Sequence, residues 1–168
     1  MSTPHPRRVV FTPVSPKGTG VVVSANGTDE LAGGIGGWQV ADQKHGRQST
    51  AWTSQPARVY TIPVRIDGMG RTPHADTAVD HTVRRLRALG EIVRAKGKNH
   101  HPPIVSISGC ARISTRQRWV MTTLTEDQVI RDATGHIIRY DCTIELTEYM
   151  RLHSTQSAAQ KSAAKVGK

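Results

Sequence analysis

The chain has 168 residues, of which 36% are hydrophobic and 4% aromatic, and its formal net charge is +10. This length suits one domain of ordinary size, and the modest apolar content predicts that part of the chain stays outside the core. No run approaches the ~20 apolar residues of a membrane span, so we expect no membrane association. The N-terminus has no signal-peptide pattern, so we expect the protein to be assembled in the cytoplasm.

The first segment, residues 1–33, is rich in Gly, Pro, Ser and Thr. It contains two short β-like runs, Arg8 to Val14 and Gly20 to Ser24, separated by prolines and a glycine. We expect residues 1–33 to form an extended N-terminal arm. Its poor self-sufficient core leads to the hypothesis that it adds strands to a neighbouring subunit.

Two tryptophans follow in loop-rich sequence. A glycine-rich run at 33–37 precedes Trp38, and a polar stretch leads to Trp52. Large aromatic side chains in such places either anchor an interface or pack over the domain's own sheet, and both alternatives stay open. Because the glycines fit neither phosphate-binding fingerprint, we predict a flexible loop there and no nucleotide site.

The central segment has strong periodic signals. Tyr60, Ile62, Val64 and Ile66 alternate with polar residues, which predicts a half-buried strand. Pro63 lies inside this run and therefore indicates an edge strand or a bulge.

A helix is predicted next, from Asp76 or Thr77 to a point before Gly97. Its apolar face consists of Val79, Val83, Leu86, Gly90 and Val93. A neighbouring basic stripe consists of Arg84, Arg87, Arg94 and Lys98. These four are candidate interface residues together with Trp38 and Trp52. The stripe either stays solvated, binds phosphate or docks on an acidic neighbour.

Further strands are predicted at 104–108, 118–124 and 129–132, followed by a turn at 133–135. The last strand has the clearest alternation, with one face formed by Ile138, Tyr140, Cys142, Ile144 and Leu146. Trp119 is expected in the core. Residues 151–168 carry four basic and no acidic side chains and little to bury. The predicted fold is therefore α+β, a mostly antiparallel sheet packed on one main helix, with an extended N-terminal arm (1–33), a domain at 34–150 and a disordered basic C-terminal tail (151–168).

Residue patterns for catalysis or metal binding are weak. No nucleophile lies in a recognisable elbow, and the carboxylates of Glu145 and Glu148 are expected to be solvated. The histidine-rich positions His74, Asp76, Asp80, His81, His100 and His101 do not have the spacing of converging zinc ligands. Cys110 and Cys142 lack CxxC spacing and are expected to be buried thiols. We predict no catalytic residues, no metal and no enzymatic activity.

The order of short motifs resembles a known family. They are Gly36-Gly37-Trp38, Trp52, Tyr60-Thr61-Ile62-Pro63-Val64 with Asp67-Gly68, Pro102-Pro103, Arg118-Trp119-Val120 and Leu146-Thr147-Glu148-Tyr149. This series is similar to the N-terminal domain of LysM-type baseplate or tail-tip proteins of phage tails and contractile injection particles. It covers about residues 34–150.

The resemblance implies a structural adaptor of the virion tail, without catalysis or cofactor. Its expected partners are other tail proteins (tube, hub, tail-tip or baseplate subunits), and several symmetric copies are expected. The chain has no LysM module after residue 150, so peptidoglycan binding is not implied. The alternative interpretation is a basic nucleic-acid-binding protein, although the low aromatic content is atypical of single-strand binders.

Overall fold

The computed structural model of the protein describes residues 7–42, 48–52, 54–68, 79–92 and 101–150. Its strands are β1 (Arg7–Ser15), β2 (Val21–Ala25), β3 (Glu30–Ala32), β4 (Trp38–Asp42), β5 (Gln48–Trp52), β6 (Val59–Asp67), β7 (Ile104–Ser108), β8 (Trp119–Arg131) and β9 (Ile137–Glu148), and its helix is α1 (Val79–Arg87). Within these ranges no helix is long and apolar enough to cross a membrane.

Six strands form a closed antiparallel barrel in the order β1-β7-β8-β9-β6-β2, and β2 returns to pair with β1. The barrel is uneven. The β6–β9 and β8–β9 ladders are long, whereas β7 meets β8 at only two positions, Ile104↔Val120 and Val105↔Trp119. β3 lies beside the N-terminal half of β6, and β4 and β5 form a separate two-stranded sheet.

The core fills the barrel with alternate side chains of each strand, as the pleat requires. The predicted alternation of β6 is confirmed, since Tyr60, Ile62, Val64 and Ile66 are all buried. Tyr140, Cys142, Ile144 and Leu146 of β9 are buried as predicted, and Trp119 is fully buried. In β9 the first buried side chain is Ile137 rather than Ile138, because a register shift at Ile130/Arg131 changes the alternation there.

The helix α1 packs against β9, β2 and β6. Val83 and Leu86 insert into the core. On one flank Arg85 Nη2 donates to the carbonyl oxygens of Thr19 and Gly20, each at 2.8 Å. On the other flank Arg87 pairs with Glu126 of β8. The helix therefore joins the β1–β2 turn to β8.

The predicted fold class is wrong in two respects. In the part of the chain that the structure describes, the molecule is mostly an antiparallel sheet with one short helix, not a sheet packed on one main helix. The expected N-terminal arm is also wrong, because β1 and β2 are barrel strands and Val9 and Phe11 are fully buried. Proline and glycine content suggested an arm, but strand pairing buries the few apolar residues between them.

The expected strands at 118–124 and 129–132 are one continuous strand, β8. The polar run 125–128 suggested a loop, but these residues are exposed along an edge where only β9 pairs with them. Register shifts at Met121/Thr123 and Glu126/Gln128 absorb the interrupted alternation as bulges.

The structure accommodates Pro63 neither at an edge strand nor at a bulge, the two alternatives predicted from the sequence. β6 is not an edge strand, since β9 pairs with it along its length. On its opposite side β3 pairs with 59–61 and β2 pairs with Val64 and Arg65. Pro63 falls between these two partners, and its carbonyl oxygen accepts from Asn26 N at 2.9 Å.

Several sequence-based expectations lie outside the described residues. These are the start of the helix before Val79, the positions Val93, Arg94 and Lys98, and the character of the tail at 151–168. They stay predictions.

Asp141 connects β6 and β9 on the outer face of the barrel. Arg65 Nε donates to its Oδ1 at 2.7 Å and Arg139 Nη2 to its Oδ2 at 2.8 Å. Burial opposes ionisation of this carboxyl, but the two guanidinium hydrogen bonds outweigh it and hold the pKa of Asp141 below its ordinary value of 3.8.

We therefore expect Asp141→Asn to lower the free energy of unfolding by about 2 kcal/mol at pH 7. A lowered folded-state pKa gives stability that is present above the unfolded pKa and lost as the pH falls through the folded value. The difference between the two proteins should thus shrink below about pH 3.8. Urea unfolding at pH 7 and pH 3 measures this, with Asp127→Asn as the exposed control. An equal difference at both pH values would contradict the assignment.

Candidate functional site

Three of the motifs that carry the family resemblance, those that begin at Tyr60, Arg118 and Leu146, meet at one end of the barrel, whereas Asp67-Gly68 lies at the other end of β6. Trp119 of β8 lies opposite Val105 of β7 and Glu148 of β9. Glu148 N donates to Arg58 O at 2.8 Å and Tyr149 N donates to Arg118 O at 2.7 Å. Segments that are far apart in sequence therefore form one continuous piece of structure.

A buried polar cluster supports this end from inside. Tyr60 Oη donates to Asp29 Oδ2 at 2.6 Å, and Arg7 Nη2 lies 2.9 Å from Asp29 Oδ1. Burial and the bond to Asp29 raise the pKa of Tyr60, while the hydrogen bonds from Tyr60 and Arg7 outweigh burial and lower the pKa of Asp29. The Tyr60 ring contacts Trp119 at a centroid distance of 5.9 Å. These contacts are those of a structural cluster that fixes β1 against β6.

An open groove lies beside this end, on the surface around β1. Its walls are the 12–15 stretch with Lys17, Gly18, Ile104, Arg118 and Tyr149, and its volume is about 640 Å³. Its lining is mainly apolar, with the two cations of Lys17 and Arg118 at the rim. Tyr149 is 42% and the adjoining Met150 53% exposed. Sequence reasoning missed this groove, although the terminal Glu148-Tyr149 motif lies beside it.

A second concave surface, which we call the α1–β8 cleft, separates the C-terminal turn of α1 from β8. It has a volume of about 340 Å³ and is lined by Arg87, Gly90, Glu91, Glu126 and the 121–124 stretch. Ile92, next to Glu91, is 62% exposed. The sequence signal for this feature was the polar run 125–128, which marks the exposed part of β8.

The two described members of the basic stripe differ in their surroundings. Arg87 pairs with Glu126, and its guanidinium carbon lies 5.7 Å from the centroid of the Tyr140 ring. Tyr140 and Glu126 together raise the pKa of Arg87 despite its partial burial. Arg84 is exposed, so it is the described member of the stripe most available to a partner. Arg94 and Lys98 lie outside the residues that the structure describes.

Trp38 and Trp52 are brought together as directly opposed positions of the β4–β5 hairpin. The alternatives of interface and intrachain packing remain open for both. Gly37, just before β4, has φ +92°, and a Cβ there would collide with Ser54 O. A side chain is therefore excluded at the entry to this hairpin.

Potential metal ligands do not converge in the part of the chain that the structure describes, where no group of three or more His, Cys, Asp or Glu residues is placed to hold an ion. Asp80 instead lies 3.2 Å from His136 Nδ1. Cys142 is buried and Cys110 half-buried, both as free thiols. Burial is the main reason that the pKa of Cys142 is raised to about 12, so this thiol is unreactive at neutral pH.

Comparison with known proteins gives likenesses among solved structures. No family model matches the chain, and no curated protein matches it. Among solved structures it is similar to the sheath/tube terminator, in the extended state, of an extracellular contractile injection system (PVC). The likeness has 13% sequence identity and a TM-score of 0.32, and it covers 89% of this chain and 96% of the other. A similarity at this level does not establish a common fold or a common role.

Proposed function

We propose that the chain is a structural, non-catalytic component of a bacteriophage or phage-like tail. Its role there is that of a tail-tip or baseplate adaptor, present in several copies, which links the tube or hub to surrounding proteins. In this proposal the chain lies at the tail tip or baseplate of the particle, and its partners are other tail proteins.

The observation that carries the proposal is the meeting of three of the family-like motifs. Those that begin at Tyr60, Arg118 and Leu146 lie on adjacent strands at one end of the barrel. This arrangement supports the resemblance, and the groove beside Tyr149 offers a surface to a neighbouring protein.

The exposure of apolar groups supports an assembled part. Tyr149 and Met150 are exposed at the groove, and Ile92 at the α1–β8 cleft. Large exposed apolar side chains beside concave surfaces are typical of binding sites between proteins. The barrel with its own buried core would then act as a rigid body that presents these surfaces.

Immunogold labelling of particles purified from the cells that make this chain tests the proposal. We expect gold at the distal end of the tail and nowhere else, with labelling abolished on particles from cells that lack the chain. Gold along the whole tail, or absence from both intact and opened particles, would contradict a tail-tip role.

A DNA-binding measurement at several salt concentrations distinguishes the tail role from the alternative of a nucleic-acid-binding protein. The net charge of +10 motivates that alternative. Binding to phosphates weakens steeply as salt rises, with a slope set by the number of phosphate contacts. For a tail adaptor we expect no salt-sensitive DNA binding by the purified chain at physiological ionic strength. Such binding, together with absence from particles, would favour the alternative.

A further inference from the structure

The exposed edge of β8 and the α1–β8 cleft coincide. β7 pairs with β8 only at Trp119 and Val120, so from Met121 to Arg131 no described strand pairs with the edge of β8 that faces away from β9. Between the bulges at Thr122 and Asp127, residues 123–126 form a regular run. An edge with unpaired backbone groups is a template for an added strand. Here the cleft provides a space beside it.

The cleft is acidic although the chain as a whole is basic. Its charged lining residues are Arg87, Glu91 and Glu126; Arg87 pairs with Glu126, whereas Glu91 forms no ion pair within the described residues. This uncompensated carboxylate at an open edge favours a basic occupant.

Residues 151–168 fit these requirements. They carry four basic and no acidic side chains, and they contain no proline, so every backbone N–H is able to pair. Half of these 18 residues are small (Ser, Ala, Gly or Thr), which suits a narrow space between a helix and a strand. By contrast, the segment 1–6 contains Pro4 and Pro6.

The geometry also favours a second copy as the source of this segment. β9 ends beside Arg118, where Tyr149 N donates to Arg118 O, and it runs away from the cleft. The chain's own tail would have to reverse and pass β7, which occupies the edge of β8 at Trp119 and Val120. Within the described residues no strand covers this edge beyond Val120, so a segment from another molecule can pair there without displacing one.

We propose that residues 151–168 of one copy bind in the α1–β8 cleft of another copy and add a strand to β8. Such a contact joins the tail of one copy to the cleft of another. Reciprocal exchange closes a dimer, and a head-to-tail arrangement generates rings or filaments. The inference deepens the proposed function and rests on it for the presence of several copies, because it names one contact between them.

Disulfide trapping in the full chain tests the contact. One copy carries Thr123→Cys in the cleft, and a differently tagged copy carries Ser157→Cys or Ser162→Cys. On mild oxidation we expect a covalent heterodimer for at least one pair. Thr134→Cys, in the exposed β8–β9 turn, is the control for random collision and should give at least about tenfold less, since a disulfide requires Cα atoms within ~7 Å.

Charge reversal provides a second measurement on the same chains. Glu91→Lys should reduce heterodimer formation about fivefold, whereas Glu30→Lys, an exposed charge on β3, should leave it unchanged. Equal reduction by both variants would overturn the role of the cleft. No heterodimer above the Thr134 control would overturn the contact between copies. Each of these results leaves the particle labelling untouched, so the two proposals fail separately.

Discussion

Replacing Phe11 with alanine is expected to lower the free energy of unfolding by about 3–5 kcal/mol, the range for deleting a large buried aromatic side chain. Phe11 lies in β1 with no exposed surface, paired to Val21 on one side and Ile107 on the other. Its removal leaves a cavity in the barrel where two neighbouring strands hold the backbone in place. Urea unfolding followed by tryptophan fluorescence measures the effect.

The matched control is Val10→Ala, one residue earlier on the same strand but only half-buried. We expect it to cost about 1 kcal/mol or less, because it removes a smaller group that is partly in solvent. This pair tests the correction to the N-terminal segment. If β1 were an arm that orders only on a neighbour, both variants would leave the stability of the isolated chain unchanged.

Replacing Gly109 with alanine is expected to cost at least about 3 kcal/mol, from a conformational and a steric contribution. Gly109 follows β7 with φ +87°, a region that disfavours L-residues. A Cβ there would collide with the carbonyl oxygen of Arg8 and lie 3.3 Å from Val9 Cα. Because both groups are backbone of β1, relief would require moving a barrel strand.

Gly135 is a matched control for this substitution. Its φ is +89°, almost the same as that of Gly109, but a Cβ at Gly135 would have nothing within 4 Å. Gly135→Ala should therefore cost only the conformational part, about 1–2 kcal/mol. Thermal unfolding of the two variants gives the steric part by difference. Equal losses of stability in the two variants would show that β1 shifts away from the added Cβ with little change in free energy.

The surfaces of the barrel connect its architecture to assembly. Proteins usually protect long exposed strand edges with bulges, charges or covering elements. β8 has bulges at Thr122 and Asp127 and acidic side chains nearby, yet the run between them is regular and faces a cleft. This combination discourages indiscriminate pairing while leaving a defined site for one complementary segment. The proposed role as a multi-copy tail component would require such selectivity.

The candidate site was predictable only in part. The short motifs ending in Arg118-Trp119 and Glu148-Tyr149 were visible in sequence, but their adjacency depends on strand register, which no local pattern specifies. Arg87 was identified as a surface cation, whereas its pairing with Glu126 joins residues 39 positions apart. Arg85, which holds the helix to the β1–β2 turn, was not identified because its partners are backbone carbonyls.

Local sequence by itself determined the strands whose pattern is strictly periodic. Alternation from Tyr60 to Ile66 and from Tyr140 to Leu146 fixed both the strand type and the buried face, because a two-residue period leaves one choice of face. It also identified the apolar face of α1 at Val79, Val83 and Leu86.

The tertiary structure alone decided where the weakly patterned segments belong. Residues 7–15 carry too few apolar groups to specify a strand in isolation, but pairing with both β2 and β7 buries Val9 and Phe11 and makes them core. The polar run 125–128 becomes part of β8 because β9 supplies its hydrogen bonds. Closure of the barrel and the resulting cleft depend on such long-range pairings, whose free energy arises only when distant segments meet.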